Sequence, residues 1–368
     1  MRKKKLWRSI VSGALATLMI ASLTACGGAA APATSGDASA DAGATEASAD
    51  GKETIVVITW GGDLEVALQK AAAGFEEANN CQISWQSAPD YSKIKAMVDN
   101  GDVQWDVCTV DADFAFRGGE AGLLEEIDYD VVPKEGIDTN CSTYGVPAYA
   151  WANVISFNSD LYDSTTCPQS WSDFWDVDTY PGARTFFKSP INTLEIALAA
   201  DGVSPEEMYP LDLDRAFASL DKIKGNVDTW WESGAQPAQM LSSGQIDLAD
   251  AWAGRVYSAK QEGAAVDYIM NEAIVNTDQW IVPKGTKHKD LVMKFLAHMT
   301  SPEAGVILSE NIPYGPANQK AYDMLAPEIV DTLPSASKYE DIVYRLDSSY
   351  WAENYDAVNE RFEAWLLE

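Results

Sequence analysis

Beyond residue 52 the chain reads as an α/β protein of two lobes whose strand ends meet at a cleft, and three features predict this. The run Ile55-Val56-Val57-Ile58-Thr59-Trp60-Gly61-Gly62-Asp63 is apolar and mostly β-branched, then stops at a glycine turn before a helical segment. That is the pattern of a buried parallel strand handing over to a helix. Short apolar strands then alternate with amphipathic helical segments, as in sheets covered by helices. Roughly 315 residues follow the N-terminal region, too many for one ordinary core.

The first residues are set aside from the fold. A basic start (Arg2, Lys3, Lys4, Lys5), an apolar stretch from Ile10 to Leu23 and the small-residue ending Leu23-Thr24-Ala25-Cys26 predict an export leader over residues 1–25. The apolar stretch is too short for a comfortable membrane span. Its ending resembles the lipobox of bacterial lipoproteins, which implies a lipid on Cys26 and anchorage to the outer face of the cytoplasmic membrane. Residues 26–52 hold no large apolar side chain and predict an unfolded tether.

Composition narrows the function classes. Without the five basic residues of the leader, the formal charge of −30 becomes −35. Such a surface repels nucleic acid and anionic partners and attracts cations. The only histidines, His288 and His298, fall in one predicted helix, which argues against a histidine triad or a histidine-rich metal site. Cys81, Cys108, Cys141 and Cys167 fit no metal or redox spacing, and their pairing is left open. No metal and no cofactor is expected, and the chain is expected to act as a monomer.

The elements follow in order. Trp60 is either a cap on the core or a flat wall for a solute, and Gly61 and Gly62 let backbone approach a ligand. Asp63 is expected to cap the helix that spans Leu64 to Asn79. Gln82–Trp85 is a second strand, Ser92–Asp99 a second helix and Trp105–Val110 a third strand, in a mostly parallel sheet. The carboxyl ends of the first and third strands then lie side by side, so Asp111 is a helix cap, a partner of Trp60 across one cavity, or both. The run Tyr144–Asn158 is long enough to cross between lobes near Asn153. Helices follow at Thr193–Ala200 and Asp212–Lys224. Two strands then end in tryptophan beside a small turn, at Trp231-Glu232-Ser233-Gly234 and at Trp252-Ala253-Gly254-Arg255. Trp231, Ser233 with its free amides, Trp252 and Arg255 are therefore candidates for the same cleft. Asn276–Gly285 is the return strand, and Asp278 within it is costly to bury unless it faces the cleft or a partner. A C-terminal amphipathic helix carries Trp351, Val358, Phe362 and Trp365.

In this order and spacing, Trp60-Gly61-Gly62, Val103-Gln104-Trp105-Asp106, Trp171-Ser172-Asp173-Phe174-Trp175, Thr193-Leu194-Glu195, Trp231-Glu232-Ser233-Gly234 and Ile312-Pro313-Tyr314-Gly315-Pro316 resemble the solute-binding lipoproteins of ABC importers, in the spermidine/putrescine-binding branch. The resemblance implies a periplasmic-binding-protein-like (type II) fold. Lobe 1 would hold 53–153 and 281–325, and lobe 2 would hold 154–280 and 326–368. The lobes would close on a solute and deliver it to an ABC permease, without catalysis. It also implies a polyamine site of Trp60, Trp252, Asp278 and Tyr314, with aromatic faces for the alkyl chain and a carboxylate for the ammonium.

Two departures bear on the solute. Ser189-Pro190-Ile191-Asn192 stands where polyamine binders place a second acidic cluster, and Arg255 replaces a neutral residue beside Trp252. Asp111 or Glu195 would have to supply the missing anchor. The first expectation is a polyamine such as spermidine or putrescine, and a single amine, an amino-acid-like zwitterion held by Arg255 or a sugar stacked on tryptophan stay open as alternatives. From other classes, an extracellular hydrolase using Asp111 and Asp278 lacks a motif for a spaced acid/base pair, and an adhesin would show exposed tryptophans rather than a closed cleft.

Overall fold

The computed structural model describes residues 51–137 and 141–368. The leader, Cys26 and the tether up to residue 50 lie outside the described residues. The first half runs β1 (Glu53–Thr59), α1 (Gly62–Ala71), α2 (Phe75–Asn79), β2 (Cys81–Ser87), α3 (Tyr91–Asn100), β3 (Val107–Asp111), α4 (Ala112–Glu120) and β4 (Gly145–Asn158). Next come α5 (Trp171–Trp175), β5 (Arg184–Phe187), α6 (Pro190–Ala200), α7 (Leu213–Ile223), β6 (Val227–Trp231), α8 (Gln236–Ser242), β7 (Leu248–Trp252) and α9 (Ala253–Gln261). The chain closes with β8 (Val266–Ile281), α10 (Lys289–Met299), α11 (Pro302–Asn311), β9 (Gly315–Pro316), α12 (Pro327–Val330), β10 (Tyr344–Arg345) and α13 (Ser348–Leu366).

The strands lie in the order β2-β1-β3-β8-β4-β7-β5-β6. Pairing is parallel within each lobe, among β2, β1 and β3 on one side and β7, β5 and β6 on the other. At the junction the expected parallel pattern gives way: β8 is antiparallel to β3 and β4, and β4 is antiparallel to β7. The reason is directional, since a strand leaving a lobe and the strand returning to it run opposite ways. β4 shifts register between Asn153 and Ile155, which bends it where the lobes meet. The predicted 64–79 helix is two helices, broken where Gly74 takes a left-handed φ of 84°.

Each lobe has its own core on both faces of its sheet. Ile55 and Val57 pack with Leu68, Phe75 and Phe295, whereas Val56 and Ile58 pack with Ile94, Trp105 and Phe114. Alternate residues of β1 thus serve opposite faces, which explains its unbroken apolar run. The second lobe buries Phe174, Phe186, Leu220, Trp351 and Phe362 in one cluster and Trp231, Leu241, Ala251 and Val256 in another. α13 sets Trp351, Val358 and Phe362 into that core while its length also lies against α4 of lobe 1. Cys81 and Cys108 are buried thiols on β2 and β3, and Cys167 is a buried thiol in lobe 2. No helix among the described residues is long and apolar enough to cross a membrane.

Candidate functional site

A cavity of about 410 Å³ opens where the strand ends of the two lobes meet. The β1 and β3 ends bring Trp60 and Asp111 to it side by side, and α4 adds Asp113 and Arg117. β7 ends in Trp252, and one helical turn later α9 presents Arg255. The crossing strands supply the floor, with Tyr149 and Trp151 on β4 and Asp278 on β8.

Asp278 is the polar centre. It is buried at 2 % exposure, and its carboxylate accepts from Trp60 Nε1 at 2.7 Å, Tyr149 Oη at 2.8 Å and Trp151 Nε1 at 2.7 Å. Register explains the cluster. Asp278 pairs with Tyr149 on one side and with Asp111 on the other, and Trp151 lies two residues along β4 on the same face. Burial, reinforced by the nearby Asp111 carboxylate, pushes the Asp278 carboxyl up to about 8, although the donors pull the other way. Asp111 is itself pushed up to about 6 by burial and by Asp113, with Tyr91 and Arg117 opposing. A positive group seated between the aromatic rings would reverse these shifts and keep Asp278 charged.

The rings form a continuous wall. Trp151 meets Trp252 edge-on at 5.6 Å, Trp252 meets Phe187 at 5.9 Å, and Tyr149 lies 5.4 Å from Tyr314. Tyr314 packs over Gly254, where a Cβ would come within 2.5 Å of its ring. The indole N–H of Trp252 is buried and has no acceptor among the described residues.

The cations of the cavity are not equivalent. Arg117 is held by Asp113 at 2.8 Å and lies 4.5 Å from the Tyr355 ring of α13, and Lys188 pairs with Glu232 at 2.6 Å. Arg255 forms no ion pair with any carboxylate of the described residues, and its Nη2 donates to the carbonyls of Trp60 at 3.0 Å and Gly61 at 3.2 Å.

The structure brings Trp60, Asp111, Trp252, Arg255, Asp278 and Tyr314 to one cavity, and leaves Trp231 and Ser233 out of its wall. Trp231 is fully buried, stacks on Phe187 at 4.2 Å and donates to Asp250 Oδ1 at 2.6 Å. It backs the wall instead of forming it. Ser233 is exposed, and the amides of Glu232 and Ser233 both donate to Gln236 Oε1, so they are not free for a ligand. Asp63 is exposed in the first turn of α1 and caps nothing; the cap position is Gly61. Asp111 occupies the cap position of α4, but its carboxylate accepts from Tyr91 Oη at 2.6 Å in place of the helix amides. Glu195 is fully buried among Tyr209 and Trp351 in lobe 2 and does not line the cavity.

Tyr149, Trp151, Phe187, Arg117 and Tyr355 also line the cavity and were missed. Alternation along the quoted Tyr144–Asn158 run placed Tyr149 and Trp151 on one face, a usable signal. Asn192, in the Ser189–Asn192 segment that the resemblance sets at the polyamine binders' second acidic cluster, sits at a left-handed φ of 69° in the kinked start of α6 and accepts from Asn276 Nδ2 at 3.0 Å.

Known proteins resemble this chain over most of its length. The family model for bacterial extracellular solute-binding proteins matches residues 70–335. A gamma-aminobutyric acid-binding protein of Pseudomonas aeruginosa is 35 % identical over 325 residues, 85 % of this chain and 91 % of that protein. The spermidine/putrescine-binding periplasmic protein of Escherichia coli is 23 % identical over 289 residues, 75 % of this chain and 79 % of that protein. The crystal structure of an ABC transporter substrate-binding protein from Bradyrhizobium japonicum superposes with a TM-score of 0.81 at 33 % identity, covering 86 % of this chain and all (100 %) of that one.

Proposed function

We propose, since the chain belongs to the bacterial extracellular solute-binding proteins that serve ABC permeases, that its solute is a small zwitterion of the ω-amino acid type, with γ-aminobutyrate as the first candidate. The ammonium would sit in the aromatic box over Asp278, and the carboxylate would take the remaining donors of Arg255. The observation that carries this reading is Arg255, a cavity cation that no carboxylate among the described residues pairs with. A polyamine would bring a second positive charge toward it, at a cost in affinity.

The polyamine reading keeps support in the second carboxylate of Asp111, opposite Asp278 in the strand register, and in the more distant likeness to spermidine/putrescine-binding proteins. Thermal shift separates the two. At a concentration about one hundred times its dissociation constant, the true solute should add about 2.7 kcal/mol to stability. γ-Aminobutyrate and 5-aminovalerate are expected to raise the melting temperature; a response to putrescine or spermidine alone would reverse the assignment. The crossing strands near Asn153 and Ile281 remain our proposed lobe boundaries. Cys26 remains our proposed lipid attachment, for which labelling with radioactive palmitate should disappear in Cys26→Ser.

A further inference from the structure

The group that comes closest to the Gly61-Gly62 turn is a side chain of the other lobe. Arg255 reaches from α9 to the carbonyls of Trp60 and Gly61, and a Cβ built on Gly62 would lie 2.0 Å from its Nη1. In a chain carrying a net charge of −30, this guanidinium pairs with no carboxylate among the described residues and bonds two backbone oxygens across the cleft. Another charged contact between the lobes, Arg117 with Tyr355, is made by a cation already neutralised by Asp113.

We propose that Arg255 and the side-chain-free Gly62 form the latch of lobe closure, Gly62 being the seat that admits the guanidinium. This rests on the zwitterion reading in one respect: a solute carboxylate on the free edge of Arg255 would orient the fork toward the turn, so anion recognition and closure become one event. A solute shifts the closed population only through contacts that the closed form makes better, and a side chain held by both the solute and the opposite lobe supplies them.

The test is a double-mutant cycle of Gly62→Ala and Arg255→Ala. It is read by calorimetric affinity for γ-aminobutyrate and by small-angle X-ray scattering with and without it. Alanine at position 62 meets backbone strain as well as the guanidinium, since φ there is 64°. That strain is present in both backgrounds and cancels in the cycle. Each single substitution should weaken binding by about tenfold or more and leave the saturated protein less compact than wild type. With Arg255 already removed, Gly62→Ala should weaken binding only slightly further.

Fully additive effects, or compaction unchanged in Arg255→Ala, would overturn the latch. Should Gly62→Ala fail to fold, the scattering of Arg255→Ala alone decides. Should wild type not bind γ-aminobutyrate, the zwitterion reading fails and ligand-free scattering judges the latch: a more compact wild type supports it, and superimposable curves refute it.

Discussion

Trp60 donates to Asp278 at 2.7 Å and Trp231 donates to Asp250 at 2.6 Å, so two strand-end tryptophans are each tied to a buried aspartate. Their surroundings differ. Asp278 and Trp60 line the cavity, whereas Asp250 and Trp231 are both fully buried behind it. Asp250 is closed off by Asn153 and the Phe187 amide, each donating at 3.2 Å, and burial pushes its carboxyl up to about 7. The first pair has a face left over for a solute, and the second spends all its contacts on holding Phe187 and Trp252 in place. A tryptophan–aspartate pair is thus a recognition device or a structural one depending on what covers its open side.

The largest effect expected from this contrast falls on stability. Trp231→Ala should cost about 3–5 kcal/mol, the range for removing a large buried aromatic. Chemical denaturation would check this, and a loss below about 1 kcal/mol would mean that Trp231 is not the support described. Asp278→Asn keeps the size of the side chain and removes the charge. It should weaken binding of an ω-amino acid by roughly a hundredfold, about 2–3 kcal/mol, with the melting temperature unchanged or raised. Asp250→Asn, which has no face toward the cavity, should leave affinity within about twofold, and matching calorimetry on the two variants sharpens or breaks the comparison.

The next effect is on pH. The Asp278 carboxyl, raised to about 8, stands above its unfolded value of about 3.9, so the ligand-free native state binds more protons between those limits. Its contribution to stability is present at the acid end of the window and is lost as pH rises toward 8. Asp250 and Glu195, raised to about 7, and Asp111, raised to about 6, act in the same direction. An ammonium solute needs Asp278 charged. Its affinity should therefore climb by up to about tenfold per pH unit between roughly 6 and 8 and release protons on binding. Calorimetry in buffers of different ionisation enthalpy measures that release, and a flat profile would show Asp278 already ionised in the free protein. Smallest of all, Ser233→Ala should change stability and affinity by less than about 0.5 kcal/mol, because the group that mattered in the turn is a backbone amide already held by Gln236.

Much of this site was readable from local pattern. A strand that ends in an aromatic beside glycine marks a carboxyl-end turn; Trp60 and Trp252 reach the cavity from such positions, Asp111 from the end of β3 and Asp278 from a crossing strand, whereas Tyr314, just before β9, was indicated by the family resemblance. Trp231 and Ser233 carry the same strand-end signal and do not reach the cavity. The difference is sheet order. β7 lies beside the crossing strand β4, with Trp252 opposite Asn153, whereas β6 is the outermost strand of its lobe. Arg255 was legible as an unusual charge but not as a bridge, since its partners are separated from it by almost two hundred residues, with a sequence separation of 195 for Trp60.

By itself the sequence determined the α/β alternation, the strand ends and the chemical types that gather there, because periodicity and turn residues act over a few positions. Only the tertiary structure decided which tryptophan faces a solute, which aspartate keeps an open side, and that Gly62 makes room for Arg255. Those outcomes depend on strand order and on the approach of one lobe to the other, and no local stretch of chain encodes either.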